Sequence, residues 1–351
     1  MAESRPDSQS DGRGTGTTPS PADNHKTGQE LMLIQHHWRQ LADGHEQDMV
    51  VRDMFYRLFR SQPHMRPIWP FGRRPIREES LEEVLAEDET FLSHCRRVQG
   101  AITLATNSLH SPKALTKKLC EAGVHHFYYD AYEPHVDVLE ECFLAALAEF
   151  PYRDLEEPSE NGNSQEQALV GWREAWKLIK ACFYSGVAEQ RDSYLANTVT
   201  TVEIDNIKAL WGKVLSHGQT EAGKSLCGGA IQAYNQLMAQ YGLEGTILSI
   251  DTQSAAFAQL ASDTMEVLNL TIDSHGEDGF ASLPHHLKTY VEKYIVLELC
   301  PTVARKAFLE GLLDMLTYVL GEQQMTEAMT RAWTKLHRVL EQALVKAVVD
   351  Y

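Results

Sequence analysis

The sequence predicts an all-α protein built from two tandem helical units, and three observations carry that prediction. From Leu31 onward large residues recur at spacings of three and four, as in Leu33, Ile34, His37, Trp38 and Leu41, which marks one face of an amphipathic helix. Long alternating Val/Ile/Thr runs are missing, as are Asn-Gly or Asp-Gly pairs between two such runs, so nothing announces a hairpin. Breakers cut the periodic stretch into helices of ordinary length, and a polar break at 196–202 divides the chain of 351 residues into halves of similar size.

Taken in order, residues 1–28 are rich in Ser, Thr, Gly, Pro and Asp and poor in large apolar side chains. They cannot bury enough surface to offset ordering and read as a disordered tail. The first unit, 29–196, is divided by four prolines in 61–75, a turn at His110-Ser111-Pro112, a helix end at Glu133-Pro134 and an acidic polar insertion at 151–167, read as a solvated or docking loop. Six or seven helices fit between these breaks. The second unit, 197–351, opens its helical series at Glu203. The halves look like distant copies, because each has an early helix ending in Trp (Trp38, Trp211) and a late one carrying Ala-Trp (Ala175-Trp176, Ala332-Trp333).

Lys and Arg total 32 against 49 Asp and Glu, a net charge of −17 that repels phosphate backbones and anionic membrane surfaces alike. Nucleic acid and membrane are therefore not expected partners. No run approaches the roughly 18 apolar residues of a membrane helix and the N-terminus has no apolar signal core, which predicts a cytoplasmic protein. The six cysteines are scattered without close pairs and read as reduced, buried thiols.

The residues with chemistry to offer are His94, on a helix over 91–104, and His126, on a helix over 114–129. Imidazole is the commonest side-chain ligand for iron, and two histidines on facing helices can sandwich a haem. Among 15 histidines such pairs also arise by chance, so the surrounding residues decide.

Phe55-Tyr56-Arg57-Leu58-Phe59-Arg60-Ser61-Gln62-Pro63, followed by Trp69 and Phe71, resembles the second globin helix running into its proline corner. His94-Cys95-Arg96-Arg97-Val98-Gln99-Gly100-Ala101 resembles the globin distal helix. Residues 119–134, LCEAGVHHFYYDAYEP, resemble the proximal helix and corner of cytoglobin-like animal globins, in which the histidine eight residues before the proline ligates iron. Residues 173–187, REAWKLIKACFYSGV, resemble the last globin helix. The resemblance thus covers 29 to about 195, with its motifs in order, and implies two tandem globin folds.

It further implies one haem b per chain, in the first unit. His126 would be the proximal ligand, with His125 the competitor if the register slips by one. His94 would be the distal residue, donating a hydrogen bond to bound gas or itself acting as sixth ligand. Val98 and Phe55 would line the haem face, and Trp69, or Phe71 if the corner is shorter, would stand where globins carry a phenylalanine.

The second unit resembles a degenerate globin through 207–214 and 331–336. Aligning Phe257 with Phe91 puts Leu260, or Ala261 with a one-residue shift, at the distal position, and aligning Pro301 with Pro134 puts Lys293 at the proximal one. A protonated lysine has no lone pair for iron. His285 and His286 could reach iron only after a register shift. The expectation is a haemless unit that packs on the first, holds a protein partner or senses the neighbouring haem.

Three functions follow. The first is reversible binding of dioxygen, nitric oxide or carbon monoxide for storage, sensing or carriage. The second is nitric oxide dioxygenation or nitrite reduction, which needs an external electron donor because no flavin or Gly-rich dinucleotide fingerprint is present. The third is a haemless helical interaction protein.

Overall fold

A computed structural model describes residues 21–109, 111–130, 132–152, 164–291 and 299–350. Among them the fold is all-α, with no strand and only an isolated bridge between Gly276 and Gly279. The first half contains α1 (Pro21–Asp43), α2 (Gln47–Ser61), α3 (Leu81–Ala86), α4 (Glu89–Asn107), α5 (Pro112–His126), α6 (Glu133–Ala148) and α7 (Ser164–Asn197). Short 3-10 turns at Pro63–Ile68 and Pro70–Gly72 form the proline-rich corner, and another at Phe127–Tyr129 continues α5. The second half contains α8 (Thr201–Gln240), α9 (Ala255–Asp273), α10 (Leu283–Val291), α11 (Pro301–Leu320) and α12 (Glu327–Val349).

The sequence accounts for most of these boundaries. The Asp88, Ser254 and Thr326 side chains cap α4, α9 and α12, and Thr200 with Glu203 forms a capping box at the start of α8. Pro112, Pro134 and Pro301 lie in the first turns of α5, α6 and α11, where a missing N–H costs nothing. Glu133-Pro134 therefore opens a helix rather than ending one. The preceding stop comes from Asp130, whose left-handed backbone (φ 59°) turns the chain after Tyr129. At the N-terminus, α1 begins at Pro21, inside the stretch expected to be tail, and residues 1–20 lie outside the described residues, as does most of the acidic insertion. Gly218 (φ 139°) kinks α8 into two segments, a conformation that favours glycine.

Both halves use the same helix pairings. In the first, α2 packs on α4 and α6, while α1 and α5 pack on α7; in the second, α8 packs on α9 and α11, and α10 on α12. Finer marks agree. The Trp38 indole donates to Thr103 on α4 and lies 5.7 Å from the Trp172 ring on α7. The Trp211 indole donates to Asn269 on α9 and lies 5.7 Å from Trp333 on α12. Thr103 and Asn269 each stand twelve residues after a phenylalanine, Phe91 or Phe257, whose N–H is capped by Asp88 or Ser254. This fixes Leu260, not Ala261, as the counterpart of His94. It also corrects the sequence pairing by one helical turn, because the partner of Trp38 is Trp172 rather than Trp176.

The halves are continuous. The core of the first half takes in Tyr234, Leu237 and Met238 from α8 and Val303 and Ala307 from α11, so hydrocarbon runs unbroken between them. Buried Arg66 in the corner donates to the carbonyls of Gly72, Ile76 and, across the interface, Tyr241.

The helix that carries His126 sits unusually close to its neighbour. A Cβ at Gly123 on α5 would lie 2.1 Å from the Phe183 carbonyl oxygen, and one at Gly186 on α7 would lie 2.0 Å from that of Cys120. Two backbones meet there without side chains between them. Gly123→Ala gains up to about 1 kcal/mol of helix propensity but overpacks a rigid contact, which costs about 1–3 kcal/mol, and we expect a net loss in urea unfolding. Gly100 on α4 has open space beyond its Cα, so Gly100→Ala in the same assay is expected to be neutral or stabilising.

Candidate functional site

The first half gathers Phe55, Trp69 and Phe71 around His94 where α2, the corner and α4 meet, and places His126 at the end of α5. Asp88 caps α4 by accepting from the Phe91 N–H at 2.9 Å, which sets the phase of the helix: Phe91 and Cys95 are buried, and His94 and Val98, one turn apart, share a half-buried line. The His94 ring meets an aromatic wall, with centroids 5.3 Å from Phe55, 5.9 Å from Phe71 and 6.2 Å from Trp69. Phe55 and Phe71 are themselves buried against Phe91. Trp69 and Phe71 stack on each other, so both aromatics of the corner belong to the site rather than one replacing the other.

The protonation state of His94 follows from its partner. An indole N–H can only donate, and Trp69 Nε1 lies 3.0 Å from His94 Nε2, so Nε2 carries the lone pair and the ring proton sits on Nδ1. Burial, with the Arg97 cation and the His126 ring adding to it, pushes the His94 pKa down to about 4. The ring is therefore neutral at neutral pH. In this arrangement Nε2 is an acceptor occupied by Trp69, which differs from the expected distal donor: it is ready to bind a metal once Trp69 yields, but has no proton to give.

His126 comes from the last turn of α5. Its Nδ1 lies 2.7 Å from the Ala122 carbonyl oxygen four residues earlier; a carbonyl only accepts, so Nδ1 holds the proton and Nε2 keeps a lone pair. A bond of this kind orients metal-ligating imidazoles. Burial outweighs that bond and lowers the His126 pKa, so this ring too is neutral. Its face is fixed by Phe183 on α7 at 5.1 Å. His125, the alternative, is exposed. His94 and His126, 32 positions apart in sequence, are close enough to act on each other electrostatically. The donor set, two neutral imidazoles from different helices beside aromatic walls, fits a haem; among the described residues no cluster of three or more His, Cys, Asp or Glu offers an alternative metal site.

The second half lacks this arrangement where it can be compared. Leu260 and Thr264 occupy the positions of His94 and Val98, and Lys293 lies outside the described residues. His285 and His286 are exposed on α10. None of the six cysteines forms a disulfide, and no helix among the described residues is long and apolar enough to cross a membrane.

One feature of the site was absent from the sequence reading. Asp130, four residues after His126 and 2% exposed, is gripped from the second half by Thr302 and Arg305 on α11 and Arg338 on α12, at 2.9, 2.9 and 2.7 Å. Burial pushes its carboxyl up, but Arg338 and Arg305 overcome that and hold it below the usual carboxylate range. Arg338 also donates to the Phe127 carbonyl and covers its ring. Nothing near Asp130 in sequence marks it out, because its cations lie 175 and 208 positions away.

No protein-family model matches the chain, and no curated protein matches it.

A histidine whose pKa falls from 6.5 unfolded to about 4 folded makes the unfolded state bind protons more readily between those values. Its contribution is complete above about pH 6.5 and declines as the pH falls toward 4, with about 2 kcal/mol lost by pH 5. We expect the thermal midpoint to drop between pH 7 and pH 5, and His94→Leu to show a smaller drop; equal drops in both proteins would remove His94 from the acid response.

Proposed function

We propose that the first half is a globin-type domain that holds one haem b between His126 and His94 and reversibly binds a diatomic gas, dioxygen foremost, in the cytoplasm. The observation that supports this reading is the histidine pair itself: a neutral imidazole on α4 set against an aromatic wall, and a neutral imidazole on α5 whose Nδ1 is tied to Ala122 so that its Nε2 is left to coordinate. When bound, haem would supply an iron able to take a small gas as ligand, with His126 the residue that would hold it.

The chain's own groups divide the remaining work. His126 is the fixed ligand, held in orientation by Ala122 and Phe183. Phe55, Phe71 and Val98 would give a bound haem an apolar surround that disfavours charged solutes and accepts nitric oxide and carbon monoxide as well as dioxygen. The His94 Nε2 lone pair is shared with Trp69, so coordination of iron by His94 would compete with an indole hydrogen bond. Turnover of nitric oxide or nitrite at the same site draws electrons from an external donor. The second half is a globin-like domain without a distal imidazole, and its role toward the first is to brace it.

Absorption spectra of the protein expressed with haem supply, with haem quantified as the pyridine haemochrome, test the proposal. One haem per chain is expected, lost in His126→Ala and kept in His125→Ala. Trp69→Phe removes the competing N–H and is expected to raise the six-coordinate fraction in the ferrous spectrum, an increase that His94→Leu abolishes. Absence of haem from the wild-type chain would leave a helical interaction protein as the reading, and two haems per chain would overturn the assignment of the second half.

A further inference from the structure

The second half contains a cavity of about 150 Å³ between α9, α11 and α12, bordered by Thr264, Val267, Ala304, Phe308, His337 and Leu340. Thr264 stands seven residues after Phe257, as Val98 stands seven after Phe91, so the cavity reaches the α9 position that matches the His94–Val98 line of α4. Its size sets it apart, for pockets that enclose drug-sized ligands run to several hundred Å³. A void of this volume instead suits a molecule of about benzene size.

The wall is hydrocarbon apart from a few groups, and two of these are unused. His337 is 6% exposed, and its ring lies almost parallel to that of Phe308, with centroids 5.2 Å apart. It makes no hydrogen bond among the described residues. Burial, with the Arg305 and Arg338 cations adding to it, takes its pKa down to about 3, so the ring is neutral and presents one N–H and one lone pair. Arg305 Nε, at the cavity edge, is buried without a hydrogen-bond partner, and Glu341 Oε2 is 3.8 Å away, too far to accept from it. A leucine or phenylalanine would fill position 337 without leaving an imidazole unpaired.

We propose that this cavity is a binding site for a small, uncharged, mainly apolar molecule, no larger than a substituted benzene, whose single oxygen or nitrogen hydrogen-bonds the His337 imidazole. The volume suits a small ring rather than a haem, and the hydrocarbon walls disfavour an ion. Arg305 and Glu341 belong both to the cavity border and to the cluster around Asp130, so an occupant touches residues that hold the end of the His126 helix. The site itself does not depend on haem in the first half.

Phenol is the probe and toluene the control of matching shape without the hydroxyl. In the full-length protein, phenol is expected to raise the thermal midpoint, to shift the His337 side-chain ¹⁵N resonances, and to bind about tenfold more tightly than toluene, as one net hydrogen bond gives. His337→Phe keeps the stacking on Phe308 and is expected to bring the two affinities together. Ala304→Leu narrows the cavity and is expected to abolish binding of both. Phenol that leaves the His337 resonances of the wild-type protein unmoved at millimolar concentration overturns the proposal, and so does phenol binding that both variants retain at wild-type strength.

Discussion

A carboxylate withdrawn from water stays ionised only where cations follow it, and Asp130 obtains both of its cations from the other half of the chain. The rest of the molecule depends on that pairing. Asp130 ends the run that begins with α5, its left-handed backbone turns the chain into α6, and its charge fastens that turn to α11 and α12. Three residues on, Glu133 receives a two-pronged contact from Arg191 of α7, whose Nε reaches Gln342 on α12. The corner beyond His126 is thus the most heavily charged buried region of the interface. Breaking a buried pair by removing one partner typically costs about 3–5 kcal/mol, so a change at Arg338 acts on α5 although it lies far away in sequence.

The two sides of the candidate site are braced in different ways, which follows from their different chemistry. The His126 side rests on charge and on a glycine-to-backbone contact between α5 and α7, both of which tolerate little displacement. The aromatic side rests on Arg66, whose guanidinium threads the carbonyls of the corner and ends on Tyr241 at the close of α8. The second half therefore touches the first at both ends of the site.

Local signals made the helices and the site legible in the sequence, and only local signals. The apolar periodicity and the prolines each act within a few residues, so helices and breaks could be read directly, although Pro134, read as a helix end, opens α6 in the structure. The phase of α4 put His94 and Val98 on one line for the same reason. The Trp69 bond to His94 could not be read, because an indole ahead of a helix gives no sign of which acceptor it will find. The Asp130 cluster was out of reach for a stronger reason, since its partners are separated by most of the chain. The repeat was misread by one turn at Trp172 because the segment GWREAW offers two tryptophans four apart, and only packing against Trp38 chooses between them.

The two halves show which constraints outlast the histidine pair. Both keep a tryptophan on the early helix bonded to a polar residue twelve positions after a capped phenylalanine, an arrangement that fixes the helix crossing and has no bearing on ligand chemistry. Leu260 stands on α9 where His94 stands on α4, an apolar side chain of similar volume in place of an imidazole. The packing the halves share is thus independent of the histidine pair, since the second half keeps it with Leu260 in that position. It leaves a void of its own beside His337 on α12.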